Sequence, residues 1–414
     1  MISLTDRLKA LGVSLGTAEL RVQPKRANYP IDQVIEGEFR ETQFGQAFVV
    51  RNTYQINQRQ GHANLAFPNS LQWLSIWAGK PELMDYEPGS FLFLDTETSG
   101  LMGGTGTLVF LIGIGRFTQD GFVLTQFFLR EPSEEPAYLQ ALLSEIDEVR
   151  ALVTYNGRAF DVPLINTRLT MNGEKRFFTQ DTHLDLLMLA RKLWRDRLPS
   201  RSLGKIETEI LGVTRTVEDI PGWMIPELYM NYLSTGDARP LKSVFYHNAM
   251  DVLSLAALLN KVARLLDDAE MRSAGDPIDI IAIGKLFEEL GYPEEAASCY
   301  SEGLAWDVPE HIRRITLRRW SYLEKRRKNY SISTELWQQA AFEKDISAFI
   351  EMAKYYEHRL ADYHKAIDWT EGASALINSE SISASEKEYW RQAIEHRLSR
   401  LYRKAGLSRG ENNE

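Results

Sequence analysis

An apolar strand that ends in two carboxylates constrains this chain more than any other segment: FLFLDTET, Phe91–Thr98. Alternate side chains on a strand point to one face, so Asp95 and Glu97 project together from the face that begins with Phe91 and Phe93. A pair of charges on a buried face is costly unless something of opposite charge meets it. Thr98-Ser99-Gly100 follows and lets the backbone turn away, leaving the pair at an open edge. An Asp or Thr at a strand end can also serve as a helix cap.

Two further segments supply acids that could aim at the same point. Asp161 lies in YNGRAFDVP, after a strand, an Asn156-Gly157 turn and before Val162-Pro163, which suits a first helical turn. Capping of that helix is an equal reading of Asp161. His247 and Asp251 are four apart in YHNAMDVLSL, a spacing that stacks them on one helix face. A surface histidine paired with its i+4 carboxylate is the plainer alternative. Carboxylates that converge are usually retained to hold divalent cations, and two cations roughly 3.5–4 Å apart can drive in-line phosphodiester cleavage.

The surrounding pattern is strand, strand, strand, helix, strand, then helices to about residue 266. Thr107–Thr118 and Phe122–Arg130 are β-rich and meet at Asp120-Gly121, a hairpin signal. Pro136–Arg150 has Leu139, Leu142, Leu143 and Ile146 at helical spacing, and Ala151–Tyr155 is a further strand. This predicts an α/β ribonuclease H-like core, a mixed sheet flanked by helices, over residues 89–266. Residues 1–88 form an N-terminal extension without evident chemistry: a short helix with Leu4, Leu8, Leu11 and Leu15, β-structure over Phe39–Gln55 broken by Gly45, and a helix near Leu71–Trp77. After a polar boundary, DDAEMRSAGDP at 267–277, an all-α domain spans 276–410. Gly284, Leu286, Tyr292, Ala296 and Tyr300 are placed as in a tetratricopeptide repeat, with a looser echo at Tyr355, Tyr356, Ala366 and Ala373. A non-repeating helical bundle is the alternative.

At these motifs the chain resembles the DEDD (DnaQ-like) 3′–5′ exonuclease superfamily, in its YprB-like ribonuclease H-like group. Asp95-Thr96-Glu97-Thr98 matches the first motif, Asn156 to Phe160-Asp161 the second. In the third, His247 stands at the tyrosine spacing before Asp251 and Tyr246 at the histidine spacing, a departure that leaves the general base between them. An imidazole titrates near neutrality and a phenol does not, which favours His247. The resemblance implies two Mg²⁺ or Mn²⁺ ions held by Asp95, Glu97, Asp161 and Asp251, His247 taking the proton of the attacking water, and release of nucleoside monophosphates from single-stranded DNA or RNA. A catalytically inactive adaptor on the same fold, binding nucleic acid or protein, and a structure-selective endonuclease of ribonuclease H type remain alternatives.

Asp181-Thr182-His183-Leu184-Asp185 reads first as a capped helix start, with Asp185 a candidate for orienting a metal ligand from behind it. The chain is acidic, at −9, so nucleic acid would need a local positive track. One candidate is Arg191, Lys192, Trp194, Arg195, Arg197, Arg201 and Lys205; another runs from Arg313 to Lys328 with Trp320, Tyr322 and Tyr330 interleaved. Both could instead be solvated helix faces, and the second could meet a protein partner. The four glycines of TSGLMGGTG (98–106) lack the lysine of a phosphate loop. Cys299 is the lone cysteine, which rules out an intrachain disulfide and fits a reducing cytoplasm. No signal peptide is evident, and LVFLIGI (108–114) is far below the roughly 20 residues of a membrane span.

Overall fold

Gly121 shows how local sequence builds the sheet. Its φ is 136°, and a Cβ there would stand 2.4 Å from the carbonyl oxygen of Tyr54, so the tight turn between two neighbouring strands requires glycine. The computed structural model describes residues 29–100, 106–146, 149–174, 182–378 and 384–407. The expected helix through Leu4–Leu15, most of the Gly-rich segment, Asp181 and the end of the helical domain at 408–410 lie outside these residues.

Seven strands form one mixed sheet: β1 (Glu38–Thr42), β2 (Gly45–Tyr54), β3 (Phe91–Thr98), β4 (Val109–Thr118), β5 (Gly121–Phe128), β6 (Ala151–Thr154) and β7 (His183–Asp185). Their order is β1-β2-β5-β4-β3-β6-β7. From β1 to β3 all neighbours are antiparallel; β3–β6 and β6–β7 are parallel. Residues 29–88 are thus more than an appendage, because β1 and β2 extend the sheet beyond β5. β7 falls where the sequence predicts a helix start. Three residues, all buried, are too few to display a strand period.

On one face, Leu92, Leu94, Ile112 and Leu152 share a core with Leu139 and Leu142 of α1 (Glu135–Leu143) and Val162, Ile165 and Leu169 of α2 (Asp161–Met171). Arg168 of α2 makes a fork to buried Glu135 of α1, at 2.6 Å for each bond, which fixes α2 on the sheet. α3 (Leu186–Leu193) and α4 (Ile225–Thr235) follow, then the 27-residue α5 (Leu241–Asp267). On β4, Gly113 and Gly115 lack side chains where a Cβ would collide with Asn248 and Val252 of α5. The two glycines therefore bring α5 down onto the face that carries Asp95.

Chain contacts divide the molecule into two units: Met1–Leu71, Lys80–Leu187 and Ser202–Lys261 form the first, and Gln72–Gly79, Met188–Arg201 and Val262–Glu414 the second. The second unit is helical: α6 (Pro277–Leu290), α7 (Pro293–Leu304), α8 (Glu310–Arg326), α9 (Tyr330–Phe342), α10 (Ile346–Tyr355), α11 (Tyr363–Asn378) and α12 (Ala384–Ala405). Gly291 turns α6 into α7 with φ of 86°, and Gly284 and Gly303 leave room for Tyr300 and Ile281 between them. Among the described residues no helix is long and apolar enough to cross a membrane.

Candidate active site

Asp95 sits directly across from Gly113 in the β3–β4 register, so its side chain faces α5. There Asn248, fully buried, donates from Nδ2 to Asp95 Oδ2 at 2.9 Å. The amide of Asn248 is oriented in turn by Gln126 of β5, whose Nε2 donates to Asn248 Oδ1 at 2.9 Å. Glu97 follows on the same face and accepts no hydrogen bond among the described residues.

Asp161 arrives from the other side of β3. Asn156 adopts φ of 66° and Gly157 packs against Thr154, where a Cβ would lie 2.6 Å away, so the chain reverses tightly after β6. Asp185 holds this turn: its carboxylate accepts the N–H of Asn156 at 2.8 Å and of Arg158 at 3.3 Å. It also accepts the N–H of Leu187 at 3.1 Å, capping α3. Asp185 therefore stands at the end of β7 rather than inside a helix, and joins capping to loop support. Asp161 is the first residue of α2, one position beyond the N-cap, Phe160. The hydroxyl of Thr96 donates to Asp161 Oδ1 at 2.5 Å, which ties the second acid to the strand of the first.

Asp251 and His247 lie on α5, one turn above each other, with His247 Nε2 3.7 Å from Asp251 Oδ2. Arg215, from the loop before α4, meets both: Nη2 donates to Asp251 Oδ1 and Nη1 lies 3.1 Å from His247 Nδ1. Asp219 Oδ1 is closer to Nδ1, at 2.8 Å. Tyr246 is engaged elsewhere, its phenol oxygen accepting the N–H of Thr216 at 3.2 Å. Glu207, Arg215, Asp219 and Asn248 have no place in the sequence motifs. Only Asn248, three residues before Asp251 on one helix face, carried a readable signal.

The electrostatics tie these acids together. Burial, then Asp251, Glu97 and Asp161, push Asp95 well above the usual carboxylate range. Burial, then Asp251 and Asp161, do the same to Glu97, against a smaller downward pull from Arg215. Asp161 rises to about 6, chiefly through burial, with the Thr96 hydrogen bond pulling it back. A desolvated cluster of acids, one of them without a hydrogen-bond donor, has the hard-oxygen chemistry that Mg²⁺ or Mn²⁺ prefers. The donor chemistry fits such an ion. The positions stop short of a closed shell: among the described residues, no three His, Cys, Asp or Glu side chains are arranged to hold a metal. Arg215 on Asp251 and Thr96 on Asp161 each engage an oxygen that an ion would otherwise contact.

The first expected basic track belongs to the second unit except for Lys205, which falls in the first. Trp194 is 1% exposed and donates its indole N–H to Asp279 at 3.2 Å, so it has no ring face for a base. Sequence marked it as a stacking residue because a tryptophan among arginines reads the same whether it faces solvent or core. Arg197 pairs with Asp279 at 2.9 Å, Lys192 with Glu289 at 2.5 Å, and Arg201 donates to the carbonyl of Leu198. Arg191 lies on exposed α3 surface beside Met188, and Arg195 is 74% exposed. In the second track Arg318, Arg319, Lys325, Arg326 and Arg327 all form ion pairs within the helical unit.

Residues 92–263 match the RNase_H superfamily. Protein YprB of Bacillus subtilis (strain 168), itself uncharacterised, is 33% identical over 325 residues, spanning 77% of this chain and 76% of that protein. The family B DNA polymerase of the hyperthermophilic archaeon Pyrobaculum calidifontis is 19% identical, covers 51% of this chain and 29% of its own, and has a TM-score of 0.33. This chain thus spans under a third of that polymerase, and so slight a likeness carries no argument.

Proposed function

We propose that this chain, which belongs to the family of Bacillus subtilis YprB and carries an RNase_H superfamily domain, is a metal-dependent 3′–5′ exonuclease on single-stranded DNA or RNA. The observation that carries this reading is the cluster of Asp95, Glu97 and Asp161 beside Asp251, in which burial and the Asp251 carboxylate push all three upward. Two Mg²⁺ or Mn²⁺ ions, when bound, supply charge stabilisation to an in-line phosphodiester hydrolysis.

The chain's own groups do the rest. Asp95, its carboxylate fixed by Asn248, would hold both ions. Glu97 and Asp251 would help hold one of them, and Asp161, held by Thr96, the other. His247 accepts the proton of the attacking water at Nε2. Its contact to Asp219 is shorter than that to Arg215 and pairs a charge with an N–H, so Nδ1 carries the proton and Nε2 offers its lone pair. Tyr246, occupied by a backbone N–H, is left out of this scheme. Arg191, Lys192, Arg195, Arg197 and Arg201 are proposed phosphate contacts, Arg195 foremost because its side chain is 74% exposed. The helical unit, as a tetratricopeptide-like domain over 276–410, would meet a protein partner, and the setting would be cytoplasmic.

The test uses 5′-labelled single-stranded DNA and RNA with Mg²⁺ or Mn²⁺. A ladder shortening from the 3′ end, abolished by D95N and by D251N, is the expected result. Discrete internal cuts would replace the reading with an endonuclease. Binding without cleavage under every metal condition would leave the adaptor, which one observation favours: Asp251 already has a cationic partner in Arg215.

A further inference from the structure

Arg215 comes from a loop without any recognisable motif, yet four of the five N–H directions of its guanidinium meet a carboxylate. Nε and Nη2 grip Glu207 in a fork, at 2.7 Å for each bond. Nη1 faces Asp219 Oδ1 at 3.3 Å and His247 Nδ1 at 3.1 Å, and the second Nη2 direction is spent on Asp251 Oδ1. A guanidinium has five such donors in a rigid plane, and here four of them are taken up by Glu207, Asp219 and Asp251. Glu207, its side chain 2% exposed, opens a single π-helical turn, Glu207–Leu211, closed by left-handed Gly212. The fork on so buried an acid anchors the guanidinium, whereas Asp251, 15% exposed, has its other oxygen, Oδ2, 3.7 Å from His247 Nε2.

The charge balance gives this contact a consequence. Glu97, without a hydrogen-bond donor, has Asp251, Asp161 and Asp219 as its repulsive neighbours and Arg215 as the one that lowers its pKa. One guanidinium stands against several acids, so the cleft still attracts cations, but the acid closest to Arg215 is already satisfied on one side. We propose that Arg215 is a resident counter-cation that competes with a divalent ion for Asp251 and so sets how readily the cleft takes that ion up. The proposal rests on the metal-binding reading above. It makes Arg215 a positioning residue for Asp251, and because arginine stays charged at all ordinary pH values the competition is permanent.

The experiment titrates full-length protein with Mn²⁺, reading free Mn²⁺ by its electron paramagnetic resonance signal and the melting temperature with and without the ion. R215Q is expected to lower the apparent Kd for Mn²⁺ about tenfold, as loss of a competing unit charge beside the ion would. Its ion-free melting temperature should fall and the Mn²⁺-induced rise should grow. In a D251N background the same substitution should change Mn²⁺ affinity little, since the contested carboxylate is gone. Equal or weaker Mn²⁺ binding by R215Q, with wild-type binding intact, overturns the proposal and leaves the metal reading standing. An equal gain in the D251N background overturns competition for Asp251 in favour of a diffuse charge effect. Failure of both wild type and R215Q to bind Mn²⁺ overturns the metal reading with it. Should R215Q not fold, R215K keeps the charge without the fork and is expected to bind Mn²⁺ more tightly than wild type; unchanged affinity there overturns the proposal.

Discussion

Two glutamates, one in each unit, occupy nearly the same local structure and opposite electrical surroundings. Glu207 opens the π-helical turn Glu207–Leu211, and Glu357 lies in the π-helical turn Tyr356–Leu360, which ends at left-handed Ala361. Both carboxylates are withdrawn from water, at 2% and 0% side-chain exposure. Around Glu357 stand Arg397, Arg400 and Lys404, at 3.0, 2.7 and 2.8 Å, with His358 at 3.5 Å. Burial alone would raise its pKa, and hydrogen bonds from Lys404 and Arg400 overcome that and lower it. Glu207 has one cation, Arg215, shared with other acids, and burial leaves its pKa raised. The first arrangement is electrically closed and needs nothing further. The second is part of a cluster short of positive charge, which is the condition for taking a cation from solution.

That contrast can be broken at either end. The largest effect is expected at the open cluster: D95N should cost at least about 10³-fold in hydrolysis rate on a labelled oligonucleotide, since in the proposed scheme Asp95 would hold both ions. Retained activity would mean that the acids are not the working centre. H247A should lose about 10²–10⁴-fold while Y246F stays near wild type, and the reverse order would move the base to the phenol.

At the closed hub, E357A should destabilise the protein by about 2 kcal/mol in urea unfolding, because it removes the shared acceptor of two half-buried arginines and a more exposed lysine. Hydrolysis per folded molecule should not change. A loss below about 1 kcal/mol would remove the distinction drawn between the two glutamates.

The open cluster also has a pH signature. Asp161 titrates near 6 in the folded protein against an ordinary 3.8, so the folded state holds a proton that the unfolded chain has released. Ion-free stability should therefore fall as pH rises from about 4 to about 6, by up to about 3 kcal/mol from this group, and D161N should lack that decline. The smallest effect is expected from R195A, which should reduce the salt slope of oligonucleotide binding by about one; an unchanged slope would take Arg195 out of the phosphate path.

Much of the first unit could be read along the chain. Phe91–Thr98 announced its buried strand and its paired acids, Asp120-Gly121 its hairpin, and Asn156-Gly157 its turn, because each depends on neighbours only a few residues away. β7 escaped because three residues cannot express a period. Trp194 was misread because burial is decided by residues such as Asp279, 85 positions on. Arg215, Asp219 and Glu207 were invisible for a similar reason: an arginine between two threonines has no local meaning until α5 is seated beside it.

Sequence by itself determined which chemistry this protein can hold: four acids at a strand end, a helix start and a helix face, a histidine beside one of them, and a mixed sheet to carry them. Tertiary structure alone decided how those charges are balanced. Gly113 and Gly115 let α5 descend to the sheet, and that descent brings Asn248 to Asp95 and Asp251 to Arg215. Coulombic energy depends on separation in space, which residue order does not record; a chain can list its charges in sequence, but their sum at a point exists only after folding.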